Sequence, residues 1–262
     1  MEIIKKRIEE IKKNGYELNF ETVFNHAFTN YKKIALYEGA ILFAFLMVVA
    51  IFAGIIGASV FGMSKINPKM LEQLKLENLS GVYVAIYLFV AVFFSAVFSP
   101  LSAGFIKIAD DAEKGEKFQV SAFFKYYKSP YFKELFISTI LISFITSGFS
   151  IALELAGLQI IGFIISMAIS FFTVLTMPLI IFGHLKAIEA IQFSMQIVIK
   201  QPLVLLLLLF VAFIASLVGF IGCCIGIFFT LPFMYAMHYA IYCAIIGIDT
   251  KDELEQIGLD IE

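Results

Sequence analysis

The chain has 262 residues, 61% of them hydrophobic and 15% charged, with 30 Phe, no Trp and a formal net charge of -2. Soluble globular domains average roughly 45–50% apolar and about 25% charged residues, so a water-soluble fold is excluded. Without a basic surplus there is nothing to hold phosphates, and nucleic acid is excluded as a partner.

Residues 1–33 form a charged N-terminal segment. Its opening, MEIIKKRIEEIKKNGYELNF, mixes both signs of charge and lacks an apolar core, so no cleavable signal peptide is read there and the segment is expected to be retained. Ile4, Ile8 and Ile11 recur at helical spacing among lysines and glutamates. An amphipathic helix on the inner leaflet and a solvated tail with nascent helicity are the two readings.

The first span is read at 34–62, with Glu38 near enough to its start to snorkel to the headgroups. An outer loop follows, in which LEQLKLENL suggests a short interfacial helix with Lys65, Lys69 and Lys75 close by. The second span, 82–106, carries no charge; at about 1.5 Å per residue it exceeds a hydrocarbon core of about 30 Å and fits with tilt. Asp110, Asp111, Glu113 and Glu116 then alternate with Lys107, Lys114 and Lys117, as in a solvated cytoplasmic loop. Spans three and four, 135–153 and 155–183, are a hairpin turning after Glu154. From Gln201 to Ile248 there are 48 residues, enough for two crossings, with the turn at GFIGCCIG where Gly219, Gly222 and Gly226 relieve the backbone.

The expected fold is thus all-α: a polytopic membrane bundle of six transmembrane helices across 34–248 in one integral membrane domain, followed by an acidic tail at 249–262. Strands alternating apolar and polar residues, which a β-barrel would need, are absent from the pattern. Sixteen Lys and Arg fall on one side of this threading and three on the other. The positive-inside rule then places both termini in the cytoplasm of an inner-membrane protein.

Three segments that enter odd-numbered spans look alike: FNHAFTNYKKIALYEGA at 24–40, VSAFFKYYKSPYFKELF at 120–136 and AIQFSMQIVIKQPLVLL at 190–206. The even spans share the proline marks Pro100, Pro178 and Pro232. The pattern suggests three parallel hairpin repeats about an axis along the membrane normal. Each proline is either a hinge lining a cavity or a tolerated kink. Small residues four apart, Ala50/Gly54/Ala58, Ala215/Gly219/Cys223 and Gly222/Gly226, are helix-packing or turn signals.

Gly219, Gly222, Cys223, Gly226, Thr230 and Pro232, the lead-in EAIQFSMQIVIKQP and the loop GEKFQVSAFFKYY together resemble the YciC-like group of bacterial six-helix integral membrane proteins. That superfamily includes the membrane domain found before some glycerophosphodiester phosphodiesterases. The resemblance covers about 20–248 and implies a six-helix bundle. It does not extend to the phosphodiesterase domain, so that activity is not expected.

Among candidate sites, His238 stands mid-span with Tyr235, Tyr239 and Tyr242 nearby. It is read either as a neutral imidazole bonded to a Ser, Tyr or carbonyl, or as a proton or ligand site at an intramembrane cavity. His184, Lys186 and Glu189 do not share a helix face and are read as surface anchors. Glu38 and Glu154 lie at opposite ends of the membrane and cannot act as an acid-base pair. Cys223, Cys224 and Cys243 are read as free thiols. With no CxxC, HExxH, Walker loop or glycine fingerprint, no cofactor, metal or catalytic residue is expected. The composition points to a non-enzymatic membrane protein that engages lipids or other membrane proteins in envelope organisation or as an accessory subunit. The alternative is a small transporter or channel for an apolar or lipid-like solute.

Overall fold

The computed structural model describes residues 2–61, 81–128, 130–221 and 225–247. The helices are α1 (Glu2–Asn14), α2 (Phe20–Phe61), α3 (Gly81–Glu113), α4 (Val120–Phe123), α5 (Phe132–Leu155), α6 (Gln159–Phe172), α7 (Thr176–Ile181), α8 (Ala187–Val198), α9 (Pro202–Leu217), α10 (Gly226–Thr230) and α11 (Pro232–Ile245). Among the described residues there is no strand. Six helical stretches are long and apolar enough to cross a membrane: Phe20–Ser59, Gly81–Glu113, Phe132–Leu155, Gln159–Ile181, Pro202–Phe220 and Gly226–Ile245. The protein is an all-α, six-helix, multi-pass membrane bundle. The expected outer-loop helix near 65–77, Gly222, Cys223, Cys224 and the acidic tail lie outside the described residues.

Arg7 donates to the Ile245 carbonyl at 3.4 Å, so the first helix and the end of the last span meet. An even number of crossings requires this, and the side concerned is called the α1 end below. The buried core gathers toward it, with Ile8, Ile34, Ile108, Tyr239 and Tyr242 fully covered. At the opposite side, positions 46–56 of α2 are exposed on every face. They are apolar throughout, which only a hydrocarbon solvent tolerates.

The isoleucine stripe of α1 is buried in protein and not laid on the leaflet, which corrects the expectation for residues 1–33: Ile4, Ile8 and Ile11 join the core. The helix docks on α8. Lys5 pairs with Glu189 at 2.7 Å, and Tyr16, just after the helix, donates to the Ile197 carbonyl at 3.2 Å while its own carbonyl accepts from Gln201 at 2.7 Å. Burial raises the Tyr16 phenol above its ordinary range and keeps it a donor. The bond from Lys5 holds the Glu189 carboxyl below the usual carboxylate range, outweighing a smaller opposing effect of burial. A lowered folded value stabilises at pH above the ordinary carboxylate value and is lost as pH falls through the folded one. Acidification across that window is therefore expected to speed amide hydrogen exchange in α1, by no more than about 1 kcal/mol because the pair is half-exposed. Lys5→Met should give the same change at neutral pH, and unchanged exchange in both experiments would show that the ion pair does not hold α1.

The three similar lead-ins take three forms. The first runs unbroken into its span as part of α2. The second is α4 with a 3-10 turn at Lys125–Tyr127, tucked against α3, where a Cβ on Gly104 would strike the Phe123 backbone and the Tyr127 hydroxyl donates to the Val97 carbonyl at 2.8 Å. The third is the separate helix α8. Packing also crosses the repeat boundaries, since α2 lies chiefly on α11 and α3 on α5.

The prolines differ as well. Pro100 sits inside the continuous α3, and its missing N–H would leave the Ala96 carbonyl without a donor. The Ser99 hydroxyl supplies one at 2.9 Å. Ahead of Pro178 the helix is interrupted at 173–175. Ser194 of α8 bridges the gap, donating to the Phe172 carbonyl at 2.8 Å and accepting from the Leu175 N–H at 3.1 Å. Pro232 begins α11, where it costs no helical bond. Gly219 and Gly226 face each other so closely that a Cβ on either would strike the backbone of the segment opposite. The turn between the last two spans falls here, as expected, and neither glycine has positive φ, so it is close approach and not a left-handed backbone that requires them. Gly54 has nothing within 4 Å of where its Cβ would be, so the expected packing role is not met within the described residues.

Candidate functional site

Between the α5–α6 hairpin on one side and α9 with α11 on the other lies a cleft of about 1060 Å³. On α9 its lining runs from Pro202 to Phe213, roughly 16 Å at the helical rise, which is about half of a hydrocarbon core. On α5 the lining is at 138–143, in the half nearer the α1 end, while on α6 and α7 it runs from 163 to 177 and so reaches into the far half. The rims are open. Phe163 of α6 and Leu203 and Phe210 of α9 are 63%, 68% and 57% exposed, which turns the mouth sideways toward the space that lipid fills.

The lining is apolar with a scatter of hydroxyls, namely Ser138, Thr139 and Ser143 from α5, Ser166 and Ser170 from α6, and Thr173 and Thr176 around the helix interruption. His238 of α11 completes the wall. Its imidazole makes no hydrogen bond, ion pair or ring contact with the described residues. The alternative of an imidazole satisfied by a neighbouring Ser, Tyr or carbonyl is therefore not what these residues show.

The three tyrosines named with His238 go elsewhere. Tyr235 stacks on Phe105 with centroids 4.8 Å apart, Tyr239 donates to Asp110 at 3.0 Å, and Tyr242 packs on Phe182 at 5.4 Å. They occupy the neighbouring stripe of α11, roughly 70° round the helix from His238. The structure thus separates His238 from Tyr235, Tyr239 and Tyr242, which belong to the protein core and not to the cleft.

Two acidic positions are also relocated. Asp110 and Asp111 are not in a solvated loop, because α3 continues to Glu113 and leaves them 2% and 8% exposed. Lys107 bonds to both of them, and Lys114 reaches Asp110 at 3.3 Å. Alongside, Asn30 donates to the Ala109 carbonyl at 2.7 Å and His26 meets Glu113 at 2.6 Å. Glu38 does not snorkel. It is 0% exposed, neither carboxyl oxygen has a hydrogen-bond partner, and Tyr235 lies within electrostatic reach.

His184, Lys186 and Glu189 are dispersed as expected of anchors. His184 is bonded and stacked to Tyr131, with oxygen and Nδ1 2.6 Å apart, Lys186 precedes α8, and Glu189 takes Lys5. Among the described residues no group of three His, Cys, Asp or Glu is placed to hold a metal. Cys243 is a free thiol.

The hydroxyls of α5 are not among the site residues expected from the sequence. A signal for the site is nonetheless present: Ser166, Ser170 and Thr173 stand at i, i+4 and i+7, and Thr139 and Ser143 at i and i+4, each set one polar stripe on an apolar helix. No family model, curated protein or solved structure matches the chain.

Proposed function

We propose that the protein is a non-enzymatic, lipid-binding membrane protein whose cleft takes up a lipid-like molecule from one leaflet. The observation that carries this reading is the cleft itself, because a concave, mostly apolar surface with a few convergent polar groups is the usual form of a small-molecule site. Its sideways mouth suits an occupant that already resides in the bilayer. Membrane lipids are therefore its partners. The excess of lysine at the α1 end supports a cytoplasmic position for that end in a bacterial inner membrane. The residue pattern shared with the YciC-like group supports the same placement.

The test is to fill the space. Leu206→Trp projects a large ring from the middle of the α9 wall, and it is expected to lower photo-crosslinking of a diazirine-bearing acyl probe in nanodiscs about tenfold. The lipid-facing control Leu46→Trp on the far half of α2 should leave labelling unchanged. Equal labelling of both variants would remove the cleft as the binding place. Transport would show as protein-dependent lipid flux in reconstituted vesicles that falls with the same substitution.

A further inference from the structure

The chemistry of the occupant's head group can be read from what the cleft offers and withholds. No Lys, Arg, Asp or Glu is among the lining residues. A phosphate or ionised carboxylate drawn inside would exchange its water for a wall without counter-charge, a cost of many kcal/mol for an unpaired ion. Charged heads are thus selected against by the same absence that makes the wall compatible with acyl chains.

Three of the seven lining hydroxyls are oriented by prior commitments. Ser138 donates to the Leu135 carbonyl at 3.0 Å, Ser166 to Gly162 at 2.9 Å and Thr173 to Ile169 at 2.8 Å. Each hydroxyl proton is engaged by its own helix, so what these groups present to a ligand is a lone pair. A head with acceptors alone, such as an ester or ketone, leaves these three lone pairs unmatched. A head that also donates is matched. His238 in neutral form brings one donor and one acceptor, and no described residue takes either. Thr176, in the same wall, has a buried hydroxyl oxygen without a partner. Four of these groups, Ser138, Thr173, Thr176 and His238, belong to the part of the cleft nearer the α1 end, while Phe163 and Phe213 line the part farther from it.

We infer that the cleft selects an uncharged lipid with a free hydroxyl head, of the diacylglycerol class, held by His238 and the acceptor hydroxyls with its chains toward Phe163, Phe213 and the lateral mouth. This rests on the reading of the cleft as a lipid site and adds the head-group class. The hydroxyl donates to serine or threonine oxygen and accepts from the imidazole N–H, so both partners are satisfied without any charge being buried.

The experiment uses the full chain in phosphatidylcholine nanodiscs doped at equal mole fraction with one of three photo-crosslinkable probes that carry the same acyl chains: diacylglycerol, its O-acetylated form and phosphatidic acid. The result expected is labelling of the cleft by diacylglycerol at least tenfold above either other probe. His238→Leu should remove most of that preference and His238→Gln, which keeps a donor and an acceptor, most of the effect of its loss. Phosphatidic acid labelling as strongly as diacylglycerol would overturn the exclusion of charge, and the acetylated probe doing so would overturn the requirement for a donor. In both cases labelling that still falls with Leu206→Trp leaves the cleft as a lipid site. If no probe responds to Leu206→Trp, the cleft reading itself fails and this inference with it. Both histidine variants are compared at matched helical content and monodispersity, and full diacylglycerol preference in folded His238→Leu overturns the role given to the imidazole.

Discussion

Gly219→Val is expected to destabilise the bundle by about 3 kcal/mol, at the upper end of the usual cost of overpacking, because two of the three nearest atoms in its way are backbone and cannot rotate aside. A Cβ at this position meets the Ile227 amide, the Gly226 carbonyl carbon and the Thr230 hydroxyl. The hydroxyl already donates to the Ser216 carbonyl at 2.6 Å, while Ser216 reaches back to the Thr230 carbonyl at 3.4 Å. Forcing the segments apart breaks that reciprocal link as well as the glycine contact. Gly226→Val should match it, since its Cβ falls on the Gly219 carbonyl. Gly54→Val is the control: its side chain enters open space, and the only cost is the helix propensity difference, which favours valine slightly over glycine. Thermal unfolding in detergent separates the cases. A melting temperature for Gly219→Val equal to that of Gly54→Val would mean that the close approach does not support the fold.

The two kinds of buried acid should respond to the same substitution in opposite directions. Asp110→Leu removes the acceptor for the Tyr239 hydroxyl at 3.0 Å and one of the two acceptors of Lys107, at 2.6 Å, so that the phenol is left buried without a partner and Lys107 keeps Asp111 alone. Leaving that buried donor unsatisfied costs about 1–3 kcal/mol. Glu38→Leu removes a side chain that is equally buried but bonded to nothing among the described residues, so the polar penalty disappears with it. A gain of about 1–3 kcal/mol is expected, the mutational cost of an unsatisfied buried polar group. Urea or dodecyl sulfate titration of both variants beside the unmodified protein reads the signs directly. Destabilisation by Glu38→Leu comparable to that of Asp110→Leu would show that Glu38 has a binding partner in the folded protein.

Hydropathy placed the second span's end at Ile106, yet α3 runs on to Glu113, because Lys107, Asp110 and Asp111 neutralise one another along one helix face and no longer need water. Glu38 was assigned to the headgroup region by its distance from the first apolar residue. Hydropathy registers the solvent a segment prefers, and it is silent about neighbouring helices that exclude solvent first. The amphipathic character of α1 was legible from Ile4, Ile8 and Ile11, but not that protein would cover them, since an apolar stripe fits a bilayer surface and α8 alike. Spans were the readable part: uncharged runs of about twenty residues have no other stable home. The cleft was half readable. His238 was singled out because an ionisable group in a span is rare, whereas its actual companions came from α5, α6 and α7, brought together by packing between elements far apart in the chain.

The open rim formed by Phe163, Leu203 and Phe210 changes how occupancy of the cleft must be expressed. A guest that arrives by two-dimensional diffusion within a leaflet never equilibrates through the aqueous phase, so its binding constant has units of surface mole fraction. For the lipid guest proposed above, adding buffer would leave saturation untouched, while fusing in vesicles that lack the lipid would lower its mole fraction and with it the occupancy.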